Sequence, residues 1–295
     1  MTTLENGGPE GEAALKRLYV LEGKGFVIGV TGWPGVGKSS LINRMAKAYL
    51  SQGKKVGIIA VDPTSPFSGG GLLGDRIRFK DIEGSDNLFI RSVATRGHHG
   101  GISRSARAFV KVMEVMGYEL VLLETVGIGQ DQITVSLIAD TTVVVVAPGL
   151  GDFLQALKSG ILEAGDIFVV NKADRDDADS AAFDLETAVR MREKEGWCVP
   201  VVKTIAADGT GVEALMGEIT RHSIYCAGEG SVLAGKVEAA SNEIREAIKS
   251  RLFETIFRGD TLKGESLSRH AVALCERKID PYMVADMILA EKGIT

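Results

Sequence analysis

The chain has 295 residues and a mass of 31.4 kDa, with 45% apolar and 25% charged residues; this allows one large α/β domain with a helical appendage and excludes disordered, collagen-like and coiled-coil classes. Lys and Arg number 34 against 39 Asp and Glu, a net charge of -5 that leaves no basic excess for nucleic acid or an anionic membrane surface. Cys198, Cys226 and Cys275 lie far apart without CxxC spacing, the acidic start lacks the pattern of a signal peptide, and no apolar stretch reaches the roughly 18 residues of a membrane span, so a reducing, cytoplasmic setting fits best.

In chain order, residues 1–24 read as a short N-terminal extension. From 25 to 226, β-rich runs alternate with helical spacing. Strands are predicted over 26–31, 56–61, 88–93, 119–125, 142–147, 167–170 and 199–205, and helices over 38–52, 103–116, 132–139, 153–164, 178–195 and 212–221. Several strand runs are almost purely apolar, the pattern of strands buried on both faces, so the sheet is doubly wound, mostly parallel and covered by helices on both sides. From 227 to 295 the spacing is helical with no further strand signal. Helices are predicted there over 233–257, 267–277 and 282–292, the last opened by Asp280 as N-cap and Pro281 in the first turn. Such helices need a surface to cover, on their own domain or on a second subunit.

The strongest motif is Gly32-Trp33-Pro34-Gly35-Val36-Gly37-Lys38-Ser39, which satisfies GxxxxGK(S/T) between an apolar strand and a helical pattern. Glycines there let backbone amides approach phosphate oxygens, and the positive helix end adds to that field. The fold class is therefore α/β of P-loop NTPase type with a C-terminal helical extension. Gly35, Val36, Gly37, Lys38, Ser39 and Ser40 form the phosphate-binding set; Lys38 reaches the β- and γ-phosphates and the Ser39 hydroxyl ligates magnesium.

Asn171-Lys172-Ala173-Asp174 stands at the C-terminal end of a strand, where α/β sheets bind ligands. A carboxylate at Asp174 can accept from the N1–H and exocyclic amine of guanine, a donor pair that adenine lacks. Asn171 can steady the loop and face the N7 and O6 side, and the Lys172 stem can lie against the base. Ala206-Ala207, opening the loop after the next strand, resembles the weaker third base-contacting loop of GTPases.

Between these poles, Glu124-Thr125-Val126-Gly127 ends a strand: the acid can hold a magnesium shell and Gly127 lets the backbone follow a γ-phosphate. The plainer reading of Glu124 is a strand-end acid capping the next helix. Asp62 closes another strand and Asp75 follows a Gly-rich run; either can reach a metal or its waters, or is simply solvated. The adjacent His98 and His99 invite a metal reading, but neighbouring side chains on an extended loop diverge, and a Gly-rich loop is preferred.

With these residues assembled, the chain resembles the MeaB/ArgK family, GTPase chaperones of adenosylcobalamin-dependent acyl-CoA mutases. The resemblance rests on residues 32–39, on Asp62-Pro63-Thr64-Ser65-Pro66-Phe67 leading to Asp75, on Glu124 to Gln130, on Pro148 to Asp152 and on Asn171 to Asp174. It implies Ser39, Asp62, Asp75 and Glu124 around magnesium, and a third switch from Asp152 to Lys158. Lys158 then contacts the nucleotide site, with a catalytic role beside Lys38 and Glu124, or transmits partner binding; its plainer reading is a surface lysine on a helix. It further implies a homodimer that hydrolyses GTP to GDP slowly until a mutase, or its cobalamin adenosyltransferase, completes the site. Two other readings are weighed against it, a nickel-delivering metallochaperone GTPase and a kinase tied to amino-acid transport. The first lacks the expected Cys/His ligands, and no sequence feature identifies an acceptor for the second.

Overall fold

The computed structural model describes residues 1–6, 8–62, 79, 81–82, 84–94, 101–125, 135–149, 161–191, 196–228, 237, 240–245, 247–249, 251–252, 256, 265–291 and 293. The chain divides into two compact units, Met1–Gly235 and Lys236–Thr295. The first is built on seven strands: β1 (Phe26–Thr31), β2 (Val56–Asp62), β3 (Leu88–Ala94), β4 (Leu120–Glu124), β5 (Thr141–Val146), β6 (Ile167–Asn171) and β7 (Val201–Thr204). They form one sheet in the order β3-β2-β4-β1-β5-β6-β7, every pairing parallel. Parallel neighbours need crossover connections, and these place helices on both faces.

One face carries α3 (Lys38–Ser51) and α7 (Val212–Ala227); the other carries α4 (Gly101–Val115), α5 (Ile161–Ala164) and α6 (Ala178–Arg190). Leu41, Ile42, Met45 and Tyr49 recur at helical spacing and bury one stripe of α3 in a cluster with Ile28, Val30, Ile58 and Leu215. On the opposite face Phe109 and Met113 of α4 pack on Val27, Ile59 and Val121, while Leu185 and Val189 of α6 pack with Val144, Phe168 and Val170. Alternate residues of β1 thus enter opposite layers, which is why the strand shows no polar side.

The helix predicted over 178–195 ends at Arg190 and the strand predicted over 199–205 is Val201–Thr204, and two larger features depart from the sequence reading. No helix is predicted before residue 25, yet α1 (Thr2–Asn6) and α2 (Gly8–Tyr19) are present, with Met1 and Leu4 packed against the α4 layer. That is tertiary burial, which a short segment rich in Gly and Glu does not advertise. Helix α7 also runs on to Ala227, beyond the predicted end at 221. Its extra turns carry His222, whose Nδ1 lies 2.7 Å from Thr141 Oγ1, and Tyr225, whose ring is 5.2 Å from Trp197.

In the second unit α8 (Glu265–Cys275) and α9 (Pro281–Glu291) are described. Asp280 Oδ1 accepts the amides of Tyr282 at 2.8 Å and Met283 at 3.0 Å, capping α9 with Pro281 at its first position. Val272, Tyr282, Met283 and Met287 are exposed. No helix among the described residues is long and apolar enough to cross a membrane.

Gly57 of β2 makes room for Met113, since a Cβ there would meet the thioether sulfur at 2.3 Å, and Met113 is fully buried. Met113→Ala is therefore expected to lower unfolding free energy by about 2–5 kcal/mol, read from urea denaturation; a midpoint equal to that of the parent would contradict this account of the α4 layer.

Candidate functional site

The site gathers at the C-terminal ends of β1, β4, β6 and β7, the edge where an open α/β sheet leaves its crevice. β1 ends at Thr31 and α3 opens at Lys38, so the glycine-rich turn between them lies at the positive end of a 14-residue helix. Gly37 has φ 96°, and a Cβ there would come within 2.4 Å of Asn171 Nδ2, so both conformation and space require glycine. Lys38 is only 6% exposed. A buried ammonium needs partners, and its Nζ donates to the carbonyls of Gly32 at 2.8 Å and Trp33 at 3.0 Å. The charge is thereby held against its own loop.

From the next position the Ser39 hydroxyl donates to Glu124 Oε1 at 2.6 Å, a short charge-assisted bond to a carboxylate that is 8% exposed. Parallel pairing of Val30 with Glu124 sets this meeting. The end of β4 is further pinned to β1 by the Thr125 amide on the Val30 carbonyl at 3.2 Å and by the Thr125 hydroxyl on Thr31 Oγ1 at 3.0 Å. A hydroxyl and a carboxylate in contact are the hard oxygen donors that magnesium takes while keeping waters and phosphate oxygens for its other positions. The donor set fits that ion. Among the described residues no group of three or more His, Cys, Asp or Glu could hold a metal. Asp62 ends β2, two residues beyond the Ala60 that pairs with Glu124.

At the other pole, Asn171 is 2% exposed and joins three segments. Its Nδ2 donates to the Val36 carbonyl at 2.7 Å, and its Oδ1 accepts from Thr204 Oγ1 at 3.1 Å and from the Ala206 amide at 2.9 Å. Lys172 follows with φ 58°, a left-handed conformation, and its Nζ donates to the Gly35 carbonyl at 2.7 Å. Asp174 is exposed at the head of this loop. Ala206 is buried and Ala207 exposed. Gly211 closes the loop at φ 78°, where a Cβ would lie 2.1 Å from the Lys203 carbonyl oxygen. The Thr210 amide on Asp208, foremost among several contacts, holds that carboxyl below its ordinary value.

The sequence-predicted residues Gly35, Val36, Gly37, Lys38, Ser39, Glu124, Asn171, Lys172 and Ala206 are thus joined by direct contacts. Ser39, Ser40, Arg44, Lys47, Ala206 and Ala207 line a cavity of about 300 Å³. Gly127, Asp75, Lys158, Asp152, His98 and His99 lie outside the described residues, as does the side chain of Asp62. Two participants escape motif reading. Arg44 of α3 donates through Nε to the Ala206 carbonyl at 3.1 Å and through Nη2 to that of Ala207. Arg175 donates to the Pro148 carbonyl at 3.1 Å. Neither belongs to a fixed-spacing pattern; for Arg44 the available signal is a cation on the polar side of a helix that opens at the phosphate loop.

A glycine-rich loop between the first strand and a helix, an acid at the end of a neighbouring strand and an Asn-Lys-x-Asp loop tied to both define a P-loop GTPase of α/β fold. The chain belongs to the MeaB family: the family profile described as "Methylmalonyl Co-A mutase-associated GTPase MeaB" matches residues 1–261. A Pyrococcus abyssi protein named as a GTPase is 37% identical over 299 residues, covering 99% of this chain and 90% of its own. GTPase ArgK of Escherichia coli is 30% identical over 266 residues, covering 87% and 80% respectively. The solved structure described as a LAO/AO transport system kinase superposes with a TM-score of 0.72 at 22% identity, covering 97% of this chain and 89% of that one, and shares the fold. The chain is a GTPase.

Asn171→Ala would leave the Ala206 amide and the Thr204 hydroxyl without their acceptor in a buried place. It is expected to cost about 1–3 kcal/mol of stability and to weaken guanine nucleotide binding. Thermal unfolding and GDP titration read the two effects, and a variant unchanged in both would show that the Asn171 bonds do not organise the site.

Proposed function

We propose that this MeaB-family GTPase acts as a chaperone of an adenosylcobalamin-dependent acyl-CoA mutase, gating cofactor loading, protection or reactivation through GTP binding and hydrolysis. Support for the mutase comes from the family description, which spans residues 1–261. The observation carrying the nucleotide chemistry is that Asn171 hydrogen-bonds the phosphate loop at Val36 and the base loop at Ala206 together.

In this reading the amides of residues 35–40 and the α3 N-terminus bind the phosphates. Lys38 exchanges its contacts with the Gly32 and Trp33 carbonyls for phosphate oxygens and absorbs the charge that develops as water attacks the γ-phosphorus in line and GDP leaves. Ser39 and Glu124, with Asp62 and Asp75, are proposed to hold magnesium, which when bound neutralises charge on the β- and γ-phosphates. Gly127 is proposed to let the backbone follow the γ-phosphate, and Lys158 to contact the nucleotide site or transmit partner binding. Intrinsic turnover is slow, and the mutase or its adenosyltransferase completes the site. A homodimer is proposed through the C-terminal helices, which expose Val272, Tyr282, Met283 and Met287. No described residue favours nickel delivery or transfer of phosphate to a protein.

Lys38→Ala is expected to lower kcat by roughly 100- to 1000-fold in single-turnover GTP hydrolysis, and parent-like turnover would remove Lys38 from the mechanism. Asp174→Asn is expected to weaken GTP at least about tenfold while accepting xanthosine triphosphate, in calorimetric titration with each nucleotide; unchanged GTP preference would overturn the base reading. For the chaperone role, co-elution with an adenosylcobalamin-dependent acyl-CoA mutase in the presence of a non-hydrolysable GTP analogue is expected, together with faster hydrolysis. Absence of a complex with and without nucleotide would overturn it. Light scattering tests the dimer, and a monomer in both states counts against it.

A further inference from the structure

In the loop after β7 most backbone donors are engaged. The Ala206 amide donates to Asn171 Oδ1, those of Asp208 and Gly209 to the Ile205 carbonyl at 3.2 and 2.9 Å, and that of Thr210 to Asp208 Oδ1 at 2.8 Å. The amides of Ala207 and Gly211 donate no hydrogen bond among the described residues, and only that of Ala207 belongs to a peptide whose carbonyl is held by a side chain.

On the α3 side of the same loop stands Arg44. Its guanidinium donates to the carbonyls of Ala206 and Ala207, and its stem comes within 3.9 Å of where a Cβ on Gly209 would sit. In a planar trans peptide the carbonyl and the following N–H point in opposite directions, and the described chain has no cis peptide. With the Ala206 carbonyl turned onto Arg44, the Ala207 N–H is turned away from α3.

We propose that Arg44 is a positioning residue for base recognition, aiming the unengaged amide of Ala207 at an oxo acceptor on the six-membered ring of the purine. This rests on the guanine reading of the site. Guanine carries an oxygen at that position and adenine an amino group, so a fixed N–H donor there attracts one base and opposes the other. A loop amide that is not held can turn aside and lose the distinction. Arg44 itself touches no base: it discriminates through the peptide plane it fixes.

The test uses the full chain, with GTP and ATP titrated separately into the parent, Arg44→Met and Arg44→Lys. Met keeps the stem against Gly209 and removes the donors; Lys keeps the charge and a donor. In Arg44→Met, GTP affinity is expected to fall about tenfold with ATP affinity not lowered, so the GTP-over-ATP ratio falls by at least that factor, and Arg44→Lys is expected to lie between. A parent-like ratio in the variants, including equal losses of both nucleotides, overturns the positioning role. If the Met variant does not fold, the ratio in Arg44→Lys decides alone: a fall supports the proposal and a parent-like value overturns it. A parent protein that binds ATP as tightly as GTP overturns the guanine reading and this proposal with it.

Discussion

The nucleotide site depends on one buried amide. Asn171 donates to the phosphate loop at Val36 and accepts from Thr204 and Ala206, so three segments far apart in sequence share a single planar group. At 2% exposure none of these bonds competes with bulk water, and loss of any one leaves a polar group stranded. The glycine-rich loop, the Asn171 loop and the loop after β7 are therefore mechanically one unit. The Lys172 contact with Gly35 and the Arg44 contacts with Ala206 and Ala207 reinforce the same unit from more exposed positions.

The sheet makes this economical. Parallel strands deliver their C-terminal ends to one edge, and the register pairs Val30 with Glu124 and Asn171 with Thr204. Short side chains suffice because the backbone has already brought the loops within reach. A hydroxyl on Ser39 meets Glu124 at 2.6 Å without a long, entropically costly arm between them. The apolar residues of β1, divided between two helical layers, resist the shift of register that would separate these pairs.

Much of this was legible in the sequence because its signals are local. The GxxxxGK(S/T) spacing, the apolar runs and the strand-end positions of Glu124 and Asn171 are each read within a few residues, and they identify the sheet and the loops that meet at its edge. The N-terminal helices were not legible, since Met1 and Leu4 are held by α4 rather than by a pattern of their own. The extra turns of α7 depend in the same way on Thr141 and Trp197, remote in sequence. Arg44 escaped for a third reason: its partners are backbone carbonyls, which exist at every residue and leave no trace in side-chain identity. The motif named Asn171, but that its two ends reach both Val36 and Ala206 is a matter of three-dimensional placement.

The Lys38 ammonium, resting on the carbonyls of Gly32 and Trp33, has a thermodynamic consequence. Under the proposed mechanism, nucleotide entry is a swap of ligands around a cation that is already desolvated, so most of the hydration penalty of Lys38 falls during folding rather than at the encounter. The contribution of Lys38 to affinity would then be the surplus of phosphate over peptide oxygen.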